Sequence, residues 1–230
     1  MANMSPKKYE GPLTHTMILR GFQNCIQNAQ ELCEEAELLF KDKRYARAYA
    51  LTLICFEEIG KLMVLLTGAY HGPRDKALWR KFWKRFRSHT LKRTRVSLME
   101  MLSLQSTTAE QTIVEMEAEP EAEGLKQSAL YVDYRDGNMV CPSELWGERS
   151  RSLVEESLKL ARNRLRLFSK QFGDSRKMEE YVTRRIPSMK RRGLADSDGM
   201  NETGRDWLDN QLKRVLEDPS GEAADSEPNS

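Results

Sequence analysis

Hydrophobic residues recur at steps of three and four along much of the chain, which is the spacing of an amphipathic α-helix. The first stripe of this kind predicts a helix from residue 13 or 14 to about Lys41. The next stripe predicts a second helix that ends near the breaker His71-Gly72-Pro73. Only the polar residues 42–44 separate the two helices, so the second should fold back antiparallel to the first.

The middle of the chain predicts one more long helix and an irregular insert. The third helix is expected from about Arg74 to Leu104, with its aromatic residues facing inward. Residues 105–124 are rich in Ser, Thr and Glu and predict a mobile connection. A short helix over Leu125–Leu130 is then followed by two short extended pieces around the turn signal Asp136-Gly137.

The remaining pattern completes an all-α fold. It predicts a long helix over Arg151–Phe172 and a shorter one from about Lys177 to Ile186, which Pro187 should stop. No internal repeat and no convincing run of strands is present, so we expect a bundle of long antiparallel helices with a short irregular insert. The predicted organisation is a flexible leader (1–12), a helical domain (13–187), a linker (188–204), an amphipathic helix (205–217) and a disordered tail (218–230).

Charge is segregated along the chain although the net charge is only +2. Between Arg74 and Arg95 there are ten Lys or Arg residues and a single acid, Asp75. A basic helix of this kind favours contact with an anionic partner, whereas solvated helix faces account for most of the charges taken singly. We therefore expect the residues Arg80, Lys81, Lys84 and Arg87 to bind RNA if the chain acts on a polyanion.

The remaining composition narrows the class of protein. Three of the four cysteines lie in apolar helical patterns and predict reduced core thiols, and no signal peptide is visible, so we expect a cytoplasmic protein that does not span a membrane. The chain contains no Glu-x-x-His pair, zinc spacing, P-loop or G-x-G-x-x-G motif. No cofactor and no metal are predicted, although a lone His beside Glu57 and Glu58 remained an alternative that we disfavour.

The second predicted helix carries charged residues in an otherwise apolar run, Ala48–Leu66. Ionised groups are costly to bury unless they are paired. Lys61 lies three residues from Glu58 and four from Glu57, so a Glu–Lys pair on one face of the helix is expected. This cluster is either a structural ion pair, a solvated face, or a polar site held on a rigid helix.

A histidine on the third predicted helix offers chemistry to such a site. His89 shares a helix face with Arg85 and Lys92, and its simplest role is that of a core residue donating to a carbonyl. The alternative is a phosphodiester-cleaving site in which His89 transfers a proton to or from the ribose hydroxyl or the leaving oxygen. Lys92, Lys61 or Arg85 would then stabilise charge on phosphorus, and Glu57 or Glu58 would orient a cation or the imidazole.

These residues also carry a resemblance to a known family. The chain resembles the AbiV-like abortive-infection family, a branch of the HEPN (higher eukaryotes and prokaryotes nucleotide-binding) superfamily, over roughly residues 20–170. The matching residues are Asn28-Ala29, Leu32, the run RYARAYALTLICFEEIGK (Arg44–Lys61), His89-x-x-Lys92, and LYVDY-x-DG…P-x-E (Leu130–Glu144).

The resemblance implies a HEPN-like helical bundle, often dimeric, and a role in bacterial antiphage defence. HEPN proteins are commonly metal-independent ribonucleases with an R-x(4–6)-H motif. Counting back from His89, those spacings fall on Lys84, Trp83 and Phe82, so the chain departs from the motif and Arg85 is one residue too close. The implied catalytic set is therefore Glu58, Lys61, His89 and Lys92, with Glu57 and Arg85 behind them.

Three interpretations follow. The first is an endoribonuclease that shuts down translation in an infected cell, with a phage protein or another trigger. The second is a non-catalytic helical module that blocks translation or a phage component by binding RNA or protein. The third is a structural protein whose charges stabilise a homodimer.

Overall fold

Two long helices form the centre of the fold. The computed structural model describes residues 8–88 and 119–196. Helix α1 covers His15–Lys41 and helix α2 covers Tyr45–Ala69. The hydroxyl of Thr14 accepts a hydrogen bond from the backbone N–H of Met17 (3.2 Å), so α1 begins at an N-cap where the sequence predicted its start.

Helices α1 and α2 pack antiparallel, as the short connection between them predicted. Gly21, near the beginning of α1, lies against Leu65, near the end of α2. The ring of Phe40, at the other end of α1, packs against the ring of Tyr45 with centroids 5.6 Å apart. Residues near the beginning of α1 therefore contact residues near the end of α2, and the reverse holds at the other end, which confirms the antiparallel prediction.

The remaining elements surround this pair. In chain order they are α3 (Lys76–Arg87), α4 (Glu119–Leu130), β1 (Asp133–Arg135), β2 (Asn138–Val140), α5 (Pro142–Leu145), a 3₁₀ turn (Glu148–Ser150), α6 (Arg151–Phe172), α7 (Ser175–Glu180), a π-helical turn (Tyr181–Arg185) and α8 (Ile186–Arg191). Helix α2 contacts α1, α3, α4, α5 and α6, so it is buried on nearly its whole circumference. The all-α prediction is confirmed, with the two-stranded sheet as the irregular insert.

The insert is a β-hairpin closed by Asp136-Gly137. Both turn residues have positive φ, 49° for Asp136 and 84° for Gly137. This backbone favours glycine and tolerates aspartate, and it matches the twist of the antiparallel pair β1–β2. The predicted turn is therefore confirmed.

Helix α3 is shorter than the sequence predicted. It ends at Arg87, and Ser88 is extended (φ −76°, ψ 128°), whereas the charge and aromatic pattern predicted a helix to about Leu104. The apolar face of α3 ends with Phe86, and the positions three and four residues later are the polar His89 and Thr90. The backbone leaves the helix at Ser88, directly after a last turn that carries Lys84, Arg85 and Arg87, which suit a helix C-terminus.

Pro187 does not end the last helical segment, which the sequence predicted it would. The backbone N–H of Ile186 bonds the carbonyl of Tyr181, a step of five residues that widens the helix just before the proline. Pro187 then occupies the first turn of α8, where its missing N–H costs little. The helix continues to Arg191, and Leu194 is buried, so the start of the predicted linker packs on the body.

The leader is docked at its end rather than flexible throughout. The indole Nε1 of Trp83 donates to the carbonyl oxygen of Gly11 (2.9 Å), and the ring of Tyr9 packs edge-on against Trp83. The physical reason is that α3 presents an indole and a guanidinium, that of Arg87, at its surface, and the leader supplies carbonyl and carboxylate acceptors. The sequence holds no periodic signal for such a contact.

Several predictions fall on residues 1–7, 89–118 and 197–230, which lie outside the described residues. They are the amphipathic helix 205–217, the tail 218–230, most of the 105–124 connection, the rest of the linker, His89 and Lys92.

Close packing between α2 and α3 gives a test of the fold. Gly68 lies under the Phe82 ring, and a Cβ added there would come within 2.7 Å of the ring. We expect Gly68→Ala to lower the free energy of unfolding by about 1–3 kcal/mol, because the ring must shift out of a packed site. Urea unfolding followed by circular dichroism measures this change.

The matched control is Gly124→Ala in α4, where an added Cβ would meet nothing within 4 Å. Alanine favours a helix over glycine, so this variant should be as stable as the parent or more so. Equal stability of the two variants would contradict the packing of α3 on α2.

Candidate functional site

The two adjacent acids of α2 have different partners. The Oε1 of Glu57 accepts from the Nζ of Lys126 on α4 at 2.8 Å, and the two side chains are 4% and 6% exposed. Lys126 also pairs with Glu123, one turn earlier on α4, at 2.8 Å. The buried ammonium thus pairs with one carboxylate from α2 and one from α4, so this cluster joins α4 to α2.

Sequence reasoning missed Lys126. The pattern over Leu125–Leu130 predicted a short helix but did not show that this helix packs against α2. A single lysine among apolar neighbours (Leu125, Ala129, Leu130) is commonly solvated. A signal was available, because two adjacent acids inside an apolar helix require a cation from another element when only one cation of their own helix lies within a turn of them. Here Lys61 is that one cation, and it goes to Glu58.

Glu58 forms the Glu–Lys pair that the helical spacing of Lys61 allowed with either Glu57 or Glu58. The Nζ of Lys61 donates to the Oε1 of Glu58 at 2.5 Å. The two side chains are 11% and 20% exposed, so this pair reaches the edge of the core while the Glu57–Lys126 pair stays inside it. The carboxylate fixes the position of the ammonium, which keeps N–H groups for a further acceptor.

Helix α3 delivers its C-terminal end to this ion pair. The Nζ of Lys61 lies 5.5 Å from the centroid of the Phe86 ring, a cation–π contact. The chain leaves α3 at Ser88, two residues after that ring. His89 is bonded directly to Ser88 and, with Lys92, lies outside the described residues.

The outward face of α3 is basic, as predicted. Arg80, Lys81 and Lys84 are exposed, and Arg85 is half-buried, while Trp79 and Phe82 on the opposite side are buried. The cations of α3 therefore project away from α2 along the length of the helix. Such a surface provides the electrostatic attraction that a phosphate backbone requires.

Arg87 differs from the other predicted RNA-binding residues because the leader holds it. Its guanidinium donates to the carboxylate of Glu10 (2.7 Å) and to the carbonyl oxygen of Tyr9 (2.6 Å). It also lies 5.1 Å from the centroid of the Trp83 ring. A phosphate would have to displace Glu10 to reach this guanidinium.

Three buried thiols lie on the two central helices, and Cys55 is one helical turn from Glu58. A hydrogen bond from the Cys55 thiol lowers the pKa of Cys33, and the same bond, together with burial, raises the pKa of Cys55. The Cys55 Sγ also lies within hydrogen-bond distance of the Ala29 carbonyl oxygen (3.2 Å). Cys25, Cys33 and Cys55 are buried free thiols between α1 and α2, as the sequence predicted, and Cys141 is exposed.

The comparison with protein families supplies the decisive observation. The family model of AbiV, a HEPN family, matches residues 17–180, which is 164 of the 230 residues. The chain belongs to the AbiV family. Family membership indicates a role in abortive infection, an antiphage defence, and agrees with the all-α fold.

The match to AbiV covers α1 to α7 and includes both ion pairs of α2. No curated protein and no solved structure matches the chain. Within 8–88 and 119–196, no group of His, Cys, Asp and Glu side chains is arranged to hold a metal ion. None of the helices in these two ranges has the length and apolar character needed to cross a membrane.

The two ion pairs predict different responses to mutation. Lys126→Met removes the buried ammonium that pairs with Glu57 and Glu123, and we expect a loss of about 3–5 kcal/mol in the free energy of unfolding. Lys61→Met removes the partner of a carboxylate that is 11% exposed, and the loss should be smaller, about 1–3 kcal/mol, because water reaches part of this pair. Chemical denaturation of both variants under one condition makes the comparison.

The double variant Glu57→Leu/Lys126→Met is the control for the buried pair. Replacing both charges with apolar side chains should recover most of the stability that Lys126→Met loses. A double variant as unstable as the single one would show that packing at these positions, not charge pairing, sets the cost.

Proposed function

We propose that this AbiV-family chain is an effector of abortive infection that cleaves RNA without a metal ion and thereby shuts down translation. One observation supports the proposal above the others. The partly exposed Glu58–Lys61 pair lies against Phe86, close to where the chain leaves the basic helix α3 toward His89. An oriented cation, a histidine close in sequence and a polyanion-binding surface are the components of such a site.

The proposed reaction is a transfer within the RNA strand. The ribose 2′-oxygen attacks the adjacent phosphorus, its proton passes to a base, and the bond to the 5′-oxygen breaks as that oxygen gains a proton. His89 takes the first proton or supplies the second. The products are a 2′,3′-cyclic phosphate and a free 5′-hydroxyl, so the substrate must be RNA.

Charge on the five-coordinate phosphorus would be stabilised by Lys61, with Lys92 and Arg85 as further cations. Glu58 holds the Lys61 ammonium in position at 2.5 Å, which makes it a positioning residue. Glu57 faces Lys126 inside the core, so we assign it to the fold rather than to the chemistry. The exposed cations Arg80, Lys81 and Lys84 would hold the phosphates on either side of the cut.

The test uses purified protein and total RNA, alone and with phage components. We expect His89→Ala and Lys61→Met to reduce the cleavage rate by about 10²-fold or more, since each removes a group that acts in the transition state. His15→Ala, an exposed histidine at the start of α1, is the matched control and should cleave like the parent. Loss of cleavage in all three variants, or cleavage that never depends on His89, would refute the mechanism.

The exposed basic face of α3 also favours a second function. In this alternative the chain is a non-catalytic module that blocks translation or a phage component by binding RNA or protein. It predicts that the charge reversal Arg80→Glu/Lys81→Glu/Lys84→Glu abolishes salt-sensitive RNA binding and protection from phage. His89→Ala would retain both in this case. Phage plating assays on the two variants separate the functions, because the nuclease needs His89 and the binding module does not.

We further propose that the chain acts as a homodimer and that a phage protein or another phage product is the trigger. Sedimentation of the purified protein with and without phage lysate fractions tests both points.

A further inference from the structure

The segment after α7 carries a second concentration of positive charge. Residues 184–192 contain five Lys or Arg and no acid. Arg184, Arg185 and Arg191 are exposed, while Ile186 and Met189 are buried. The π-helical turn and α8 therefore have one face in the core and one cationic face in solvent.

This segment is fixed to the end of α2 by polar contacts as well as by apolar ones. The hydroxyls of Tyr181 and Tyr70 are hydrogen-bonded at 2.8 Å. The Nζ of Lys190 donates to the carbonyl oxygen of Tyr70 at 2.5 Å. Tyr70 is the C-cap residue of α2, and a cation is electrostatically favourable at the C-terminus of a helix. Burial raises the pKa of Tyr70 above its usual range, so its hydroxyl stays protonated.

The same end of α2 also holds the beginning of α3. The indole Nε1 of Trp79 donates to the carbonyl oxygen of Gly72 at 3.0 Å. Gly72 is only two residues beyond Tyr70, which limits the distance between the two anchoring carbonyls to about 7–8 Å along the chain. The first turns of α3, with Lys76 and Arg80 exposed, therefore begin next to the place where α8 docks.

Two acids close to these cations have partners in the structure. The carboxylate of Asp75 accepts from the backbone N–H of Gly72 at 2.9 Å, and Glu180 lies 3.8 Å from Arg185. Like charges gathered on one surface repel one another and lower the stability of the fold. A polyanion that bridges α3 and α8 would relieve this repulsion. Cations scattered singly over the surface would repel one another much less and would gain little from such a ligand.

We infer that α8 and the turn before it are a second RNA-binding element, which continues the surface of α3 around the end of α2 and contacts the phosphate backbone without reading sequence. The inference rests on the proposed function only in that RNA is the ligand. Arg184, Arg185 and Arg191 are the residues that make the contact.

The experiment measures RNA affinity separately from cleavage. A fluorescent single-stranded RNA with 2′-O-methyl groups, which lacks the attacking hydroxyl, is titrated with full-length protein at several salt concentrations. We expect Arg184→Gln/Arg185→Gln/Arg191→Gln to weaken binding by about tenfold or more near physiological salt. The slope of log K against log salt should fall by about two, since each phosphate contact with a single strand contributes about 0.7.

The control removes three exposed cations from the opposite end of α2. Arg149→Gln/Arg151→Gln/Lys159→Gln lies around the 3₁₀ turn and α6, where the Tyr45 hydroxyl donates to Glu148 at 2.8 Å. The control should bind like the parent, and circular dichroism melting confirms that both variants are folded. Should the α8 variant unfold, Arg184→Gln/Arg185→Gln alone is measured, with an expected slope change of about 1.4.

The outcomes separate the inference from the proposed function. Equal affinity and slope in the parent and the α8 variant would overturn the inference and leave the nuclease proposal standing. An equal loss in both triple variants would also overturn it, because net charge alone would then explain binding. If the parent neither binds nor cleaves RNA, the proposed function fails first.

Discussion

Burial of α2 on nearly its whole circumference is the constraint on which the structure depends. A charged side chain on such a helix must find an opposite charge from a neighbouring element or reach the surface. Glu57 pairs with Lys126 of α4. Glu58 pairs with Lys61 of its own helix, and this pair is partly exposed at the edge of the core. Two adjacent residues thereby orient different neighbours, because Lys126 belongs to α4 and Lys61 rests on Phe86 of α3. Of the charged residues that the sequence marked as a possible site, Glu57 therefore stabilises the fold, whereas Glu58 and Lys61 belong to the candidate site.

The sequence allowed the local features of the fold to be predicted, since each depends on neighbouring residues. The α1–α2 hairpin follows from periodicity and a short connection, and the Asp136-Gly137 turn follows from backbone preference. The end of α3 was wrong because hydrophobic periodicity does not show where the backbone leaves helical dihedral angles, which happens at Ser88 after three cations in the last turn. Pro187 was misinterpreted because a π-helical turn, for which sequence gives no sign, shifts it into the first turn of a helix.

The candidate site divides in the same way. Spacing alone predicted a pair between Lys61 and either Glu57 or Glu58, as well as the basic face of α3, because each lies within one helix. The partners of Glu57 and Arg87 could not be found from spacing, since Lys126 is 69 residues from Glu57 and Glu10 is 77 residues from Arg87. Family membership then connects the local pattern to abortive infection, while the chemistry itself rests on the proposal above.

The docked leader has a practical consequence for anyone preparing this protein. The carbonyl oxygens of Gly11 and Tyr9 accept hydrogen bonds from side chains of α3, and the Glu10 carboxylate pairs with the Arg87 guanidinium. An affinity tag or fusion partner joined before Met1 would be tethered eight residues from Tyr9, which contacts the basic helix α3. A cleavable tag, removed before any assay with nucleic acid, keeps foreign residues from acting as a competitor or as a second attachment point.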